Sequence, residues 1–496
     1  CFLGGSDIYN MQEVALDMVF HHLEHTGDLK FAGMLFDDLA AVLDWEEHIL
    51  DPDGDGLYQN FLNTWISDGH SYNGGGCAQA SSYNYRFNVM MAKIAEKLGL
   101  PKDKFESRAC AILKAVNDKL WLADCGVMAE YIDTIGNRLV HPSPELSTLY
   151  LAVDCGVVDK FQAYQMLRFT ETELRNERTR HRNGRLVYSS NWLPKKYSTC
   201  GLFPAENIHL ALAYFQTGLK EHGYEILEAI TECYFSGRNP GLVSHVLTGK
   251  GADDIGDLDF SDVTSMYLRL IVEGLYGIRF HLLDGYIEIS PGFPDTWTHA
   301  NLKLPDVSLN YYRSGNQESF QFYCEVQGCK IFKIPLRSTQ AEAVFLNGEL
   351  VEYTYEAGIG KCFLVVKTRL CGLLHLHVIH DVVPLPCIDV NPAKVTEGSE
   401  VVVEVNGGEI LKYRDDAGAF CDISIAGNRI YAQAKRSGNC TLYILVKAGQ
   451  YESWLPADFK IEKRRIVHTQ NMKTSESPFM PLDITKYFNT SLTSLH

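Results

Sequence analysis

A chain of 496 residues is too long for one ordinary core, and two to four folding units are expected. A hydrophobic content of 46% with 22% charged residues excludes a disordered chain. The net charge of −17, from 62 acidic against 45 basic residues, argues against a nucleic-acid partner, whose phosphates need Lys and Arg.

The chain opens Cys1-Phe2-Leu3-Gly4-Gly5, with neither an initiator Met nor the pattern of a signal peptide, and reads as a fragment. From residue 7 to about 280 the apolar spacing is helical, with stripes near 11–24, 29–49, 84–98, 105–119, 158–174, 204–218, 221–234 and 261–277. Short turns such as 98–101 and 217–218 alternate with long polar, aromatic and Gly-rich connections at 50–83, 121–143, 178–203 and 236–260. Long structured connections are usually functional, and this alternation suits a toroid of α-hairpins with its site on the elaborated side. The predicted fold class is multidomain α then β, an (α/α)6 toroid followed by C-terminal antiparallel β-sandwich domains.

Period-two strands follow Gly277, at 285–289, 320–323, 343–346 and 374–378, and predict a first sandwich over 281–384. Segments 400–405 and 440–446 predict a second over 385–465, and 466–496 reads as a linker or the start of a further module. The toroid is assigned residues 1–280. The 14 cysteines are scattered through apolar patterns without scaffold density, and Cys324 and Cys329 lack a second pair at zinc spacing, so buried free thiols are expected. No run approaches the roughly 20 apolar residues that span a bilayer.

Three motifs carry chemistry. Asp51-Pro52-Asp53-Gly54-Asp55-Gly56 opens like a calcium loop, but Leu62 stands where the bidentate Glu is needed. A carboxylate-rich turn supporting the next segment is predicted, with no metal and no cofactor. Trp65, Asp68, His70, Tyr72 and Asn73 then fall within a dozen positions. An indole stacks on sugar C–H groups while Asp, His and Asn bond hydroxyls, so this stretch is a candidate carbohydrate site; a plain surface turn at Asp68 is the alternative.

The third motif holds Glu130 and Asp133, with Arg138 and His141 after them. Glycoside hydrolysis uses two carboxyls across the scissile bond, one protonated and one ionised, and Asp68 with Glu130 is the favoured pair. An ion pair between Glu130 and Arg138 is the structural alternative. Glu206, at a helix start where capping explains an acid equally well, and Asp257 and Asp259 are further candidate acids. Asp262 reads as a helix cap. Trp192, Tyr197 and His245 are available to line the cleft.

These residues together resemble the six-hairpin glycosidase superfamily: 53–58, then Trp65 to Asp68, then Ala80-Ser81-Ser82-Tyr83-Asn84-Tyr85-Arg86 opening a helix. Val272-Glu273-Gly274-Leu275-Tyr276-Gly277-Ile278 followed by Ile289-Ser290-Pro291-Gly292-Phe293-Pro294 is similar to the exit from barrel to sandwich in rhamnosidase-like members. The resemblance covers about residues 7–380, and within it the likeness is to bacterial β-L-arabinofuranosidases that trim pectin side chains. It implies an exo-acting enzyme on plant cell-wall glycans, no organic cofactor and an exported location. In related trehalase and glucosidase barrels the general acid is an Asp shortly after a Trp before a long helix, which matches Asp68. Their C-terminal Glu motif is not evident here, which leaves the second carboxyl open among Glu130, Glu206, Asp257 and Asp259. Two rivals remain: a non-catalytic glycan-binding protein, and a polysaccharide lyase recruiting His70, Tyr72 and Arg86.

Overall fold

The computed structural model describes residues 9–60, 75–134, 136–179, 184–193, 199–235, 241, 244, 247 and 261–464. Short turns fold the first half into hairpins. Helix α1 (Tyr9–Thr26) turns into α2 (Leu29–Leu50), where the Asp28 side chain caps by accepting the Phe31 N–H. Helix α3 (Ala78–Leu98) reverses at Gly99, in the left-handed conformation at φ 69°, into α4 (Asp103–Ala115). Helix α5 (Leu146–Asp154) leads to α6 (Lys160–Thr172), opened by a capping box of Asp159 and Gln162. Helix α7 (Pro204–Thr217) reverses at Gly218 into α8 (Lys220–Phe235), and α9 (Ser261–Arg269) follows. Both α4 and α9 run on into π-helical turns, 116–120 and 270–275.

Packing divides these helices into two layers. Helices α1, α3, α5, α7 and α9 touch in that order, while α2, α4, α6 and α8 lie against their hairpin partners. Among the described residues this is four hairpins and a ninth helix, the layout of an α/α toroid. Helices α3, α5, α7 and α9 each begin after a long connection, so their N-terminal ends gather on one side.

Two starts differ from the sequence reading for one reason. Helix α3 already begins at Ala78, and the burial of Gln79, Ser81, Ser82 and Asn84 along with its apolar residues erases the amphipathic stripe that would have marked these turns in sequence. Helix α5 lay in no predicted segment: Leu146 through Ala152 are all buried, leaving no polar face to mark a period. The aspartate at 262 falls in the first turn of α9.

The first sandwich pairs a six-stranded sheet, ordered 299–303, 307–314, 317–324, 372–380, 341–346 and 349–350, with a five-stranded one, ordered 354–357, 362–368, 329–335, 286–289 and 278–281. Pairing is antiparallel except between Cys329–Pro335 and Tyr286–Ile289. Its core is continuous with that of the toroid. Phe215 of α7 is the wedge: a Cβ added at Gly274 or Gly292 would collide with its ring, and one at Gly277 would collide with the Ser290 carbonyl. The glycines of the exit motif are therefore set by close approach.

A second sandwich packs the sheet 387–391, 400–406, 429–434, 420–426 on the sheet 394–396, 451–462, 438–448, 409–414 around its own core of Val403, Ile430, Ile444 and Phe459. It docks on α6. The Tyr164 hydroxyl donates to Asp458 at 2.9 Å, Arg168 donates to the carbonyls of Cys440 and Phe459, and Phe161 packs on Tyr443 and Trp454. The thirteen cysteines among the described residues are all free thiols. No helix among the described residues is long and apolar enough to cross a membrane.

Candidate active site

Four glutamates collect where the inner helices begin. Glu130 sits between two short strands, its N–H donating to the His141 carbonyl and its own carbonyl accepting the Ala78 N–H that starts α3. Its carboxylate Oε2 accepts the Glu145 N–H at 2.9 Å and the Thr148 hydroxyl at 2.8 Å, which orients the group against the N-terminus of α5. Glu145 is the N-cap residue of α5, Glu206 lies in the first turn of α7, and Glu13 on α1 accepts the Asn84 amide at 3.4 Å. All four are buried.

The electrostatics tie the four together. Burial, then the charges of Glu13, Glu130 and Glu145, push the Cys77 thiol well above its usual range. Burial and the charge of Glu206, to which its hydroxyl is hydrogen-bonded, do the same to Tyr150. Beside them Glu46 of α2, bonded by the Gln12 amide at 2.8 Å, is pushed up to about 7 by burial.

Beneath this acidic mouth lies an ion network. Asp17 of α1 meets Arg86 of α3 at 2.7 Å, Arg86 meets Asp154 at 3.0 Å, Asp154 meets Arg269 of α9 at 2.9 Å, and Arg269 meets Glu273 at 2.9 Å. Burial works to raise Asp154, yet Arg269 and Arg86 hold it well below the usual carboxylate range. His209 stacks on Tyr150 with ring centres 4.6 Å apart, and burial followed by the field of Arg269 pushes it down to about 3. A neutral imidazole therefore separates the mouth from the ion network. Arg86, one of the residues recruited in the lyase alternative, pairs with Asp17 and Asp154.

The sequence-predicted residues divide by location. Glu130 and Glu206 come to the mouth, and Trp192 is half-buried nearby, its indole N–H donating to the Ser143 carbonyl at 2.7 Å. Arg138 pairs with Asp55 at 2.8 Å and with Asp53 at 3.4 Å, in place of the pairing with Glu130 considered from sequence. Trp65, Asp68, His70, Tyr72, Asn73, Tyr197, His245, Asp257 and Asp259 lie outside the described residues.

Their flanks are described. Asn60 N–H donates to the Gly75 carbonyl at 3.1 Å and the Asn60 amide reaches Gln79 at 3.3 Å, so both ends of 61–74 are anchored at the start of α3. Leu247 N–H donates to the Leu202 carbonyl at 2.8 Å, two residues before α7.

The carboxylates of Asp51, Asp53 and Asp55 lie close enough together to share a cation. Asp51 accepts the N–H groups of Asp55 and Gly56, and Lys119 pairs with Asp55 at 2.9 Å. Arg138 and Lys119 both bring positive charge to this turn.

Sequence reasoning missed Glu13, Glu145, Tyr150 and His209. Glu145 had a signal: Pro142-Ser143-Pro144-Glu145 before an apolar run is a helix-start pattern. Glu13 and His209 sit inside helices with nothing in their local pattern to mark them.

No family model and no curated protein matches the sequence. Among solved structures the chain is similar to a family GH78 rhamnosidase of Bacillus sp. GL1, with 12% identity over 64% of this chain and 31% of that one and a TM-score of 0.45. It is similar to an α-L-rhamnosidase of Streptomyces avermitilis complexed with L-rhamnose, with 13% identity over 76% and 34% and a TM-score of 0.46. A GH63 mannosylglycerate hydrolase of Thermus thermophilus aligns with 14% identity over 52% and 74% and a TM-score of 0.41. The chain spans about a third of the length of these rhamnosidases. The likeness concerns the arrangement of helices and sheets; what those enzymes act on belongs to them.

Proposed function

We propose that the mouth of the toroid is the active site of a glycoside hydrolase that removes terminal sugars from a plant cell-wall-type glycan, a β-L-arabinofuranoside being the first substrate to try. The observation that carries this reading is the convergence of Glu13, Glu130, Glu145 and Glu206 on the N-terminal ends of the inner helices, where the segment bearing Asp68 is anchored at both ends. Hydrolysis of a glycosidic bond needs one carboxyl to protonate the leaving oxygen and a second to activate water or attack the anomeric carbon.

In this reading Asp68 is the acid. Glu130, oriented by the Glu145 N–H and the Thr148 hydroxyl, is its partner, and Glu206 beside Tyr150 is the next candidate. Asp257 and Asp259 belong to the connection before α9. Trp65, His70, Tyr72, Asn73, Trp192, Tyr197 and His245 would contact the sugar.

The test is sugar release from arabinose- and rhamnose-containing pectic oligosaccharides by the whole chain, with Asp68→Asn, Glu130→Gln and Glu206→Gln alongside. Loss of a protonating or attacking carboxyl lowers kcat by about 10²-fold or more. Release abolished in D68N and E130Q supports the assigned pair; release that survives E130Q and fails in E206Q moves the second role to Glu206. An unsaturated product identifies a lyase, and binding without turnover identifies a glycan-binding protein.

A further inference from the structure

The outer face of the six-stranded sheet differs from the rest of this acidic chain. Strand register places Asn301 opposite Asn310, Asn310 opposite Gln321 and Gln321 opposite His375, a continuous row of amide and imidazole groups across four strands. With inter-strand spacings of ~4.8 Å the row runs about 14 Å. The Asn301 amide N–H donates to the Asn310 side-chain oxygen at one end of the row.

Next to it runs a second row, Tyr312, Ser319, His377 and Phe345, in which the Ser319 hydroxyl and His377 Nδ1 lie 2.8 Å apart. Tyr312 is 60% exposed, and Tyr323, one register pair further along, is 39% exposed. Among the residues of the four strands 299–303, 307–314, 317–324 and 372–380, every carboxylate is kept off this face: Glu318 alone is acidic there, and it points inward at 2% exposure. Over these four strands the outward surface is polar and aromatic, and it is bordered by the exposed Glu325 beside Tyr323 and by the exposed Glu342 and Glu349 of the remaining two strands.

We infer that this face is a second carbohydrate site, separate from the mouth, that holds a neutral oligosaccharide chain along the amide row. Amides and imidazoles offer both donors and acceptors to hydroxyl groups, and Tyr312 and Tyr323 offer ring faces to sugar C–H groups. The amide row itself holds no carboxylate, lysine or arginine and so gives no ionic complement to a charged partner, while a neutral polyol needs none.

The experiment is affinity electrophoresis of the whole chain in gels containing soluble neutral arabinan, with dextran as a second neutral polymer. It compares wild type, Gln321→Ala/His375→Ala and Tyr312→Ala. The expected result is retardation by at least one polymer, weakened about fivefold or more in the double variant and in Tyr312→Ala. The mouth residues are unchanged in both sheet variants, so retardation lost in them reports the sheet face whether or not the mouth proves catalytic. Thermal unfolding of each variant within about 2 °C of wild type would show that the outward changes leave the fold intact. Equal retardation of all variants, or no retardation by either polymer, overturns the inference. So does sedimentation showing that the face joins two copies of the chain.

Discussion

Replacing Asp154 by Asn tests whether the ion network beneath the mouth holds the inner helices together. Asp154 Oδ1 meets Arg269 at 2.9 Å and the Gln216 amide at 2.6 Å, and Oδ2 meets Arg86 at 3.0 Å and Arg269 at 3.2 Å. Breaking a buried pair by removing one partner costs about 3–5 kcal/mol, because the charge left behind is uncompensated. Here each guanidinium keeps one acid, Asp17 for Arg86 and Glu273 for Arg269, so the lower end, about 3 kcal/mol, is expected. At about 2–4 °C per kcal/mol the transition of the helical domain should fall by roughly 6–12 °C. Calorimetry of the whole chain, with circular dichroism confirming native helix content before heating, reads the shift. A fall of less than about 2 °C would mean that apolar packing alone holds α3, α5 and α9 in register, and the reasoning from the network would be wrong.

In the first sandwich Glu318 accepts from His380 at 2.8 Å and Arg337 at 2.7 Å; burial works to raise it, and these partners bring it down to about 2. A depressed carboxylate stabilises above its unfolded value of about 4.5, by up to roughly 3 kcal/mol, and that contribution fades as pH falls toward 2. Glu318→Gln should therefore lower Tm at pH 7, with the gap from wild type closing between about pH 5 and pH 2; a gap constant with pH would contradict this. Glu46 has the opposite sign, since burial raises it to about 7 and its protonated form suits the fold. Its stabilising share is complete below about pH 4.5 and lost as pH rises through 7, so Glu46→Gln should raise Tm at pH 8 and leave it nearly unchanged at pH 5. Gly277 has φ 64° and no room for a Cβ against the Ser290 carbonyl, so Gly277→Ala should cost at least about 2 kcal/mol in urea unfolding, whereas Gly285→Ala, with φ 77° but open space, should cost less.

What the sequence discloses depends on which way each side chain faces. Helices with one wet face, such as α2 and α4, announce themselves by period, and the sandwich strands by alternation, as in Gln317–Cys324 with its regular exchange of exposed and buried positions. Segments that line the inside of the toroid lose that signal, because polar groups there are buried as deeply as apolar ones. Asn84, Glu145 and Ser147 are all at 0% exposure and read in sequence like solvent-facing residues. The same burial that hid α5 is what brings Glu130, Glu145 and Tyr150 to one place. Glu130 was legible because a long connection of mixed aromatic and acidic residues surrounds it, whereas Glu13 and His209 depend on which helices α1 and α7 happen to touch. Arg138 shows the limit from the other side: eight residues from Glu130, it turns to Asp53 and Asp55 because pairing of 131–132 with 140–141 carries it across to the aspartate turn. Proximity in sequence is a poor guide to ionic partners wherever a hairpin intervenes, and the partners of a buried acid in this chain are found among residues that meet at the start of different helices.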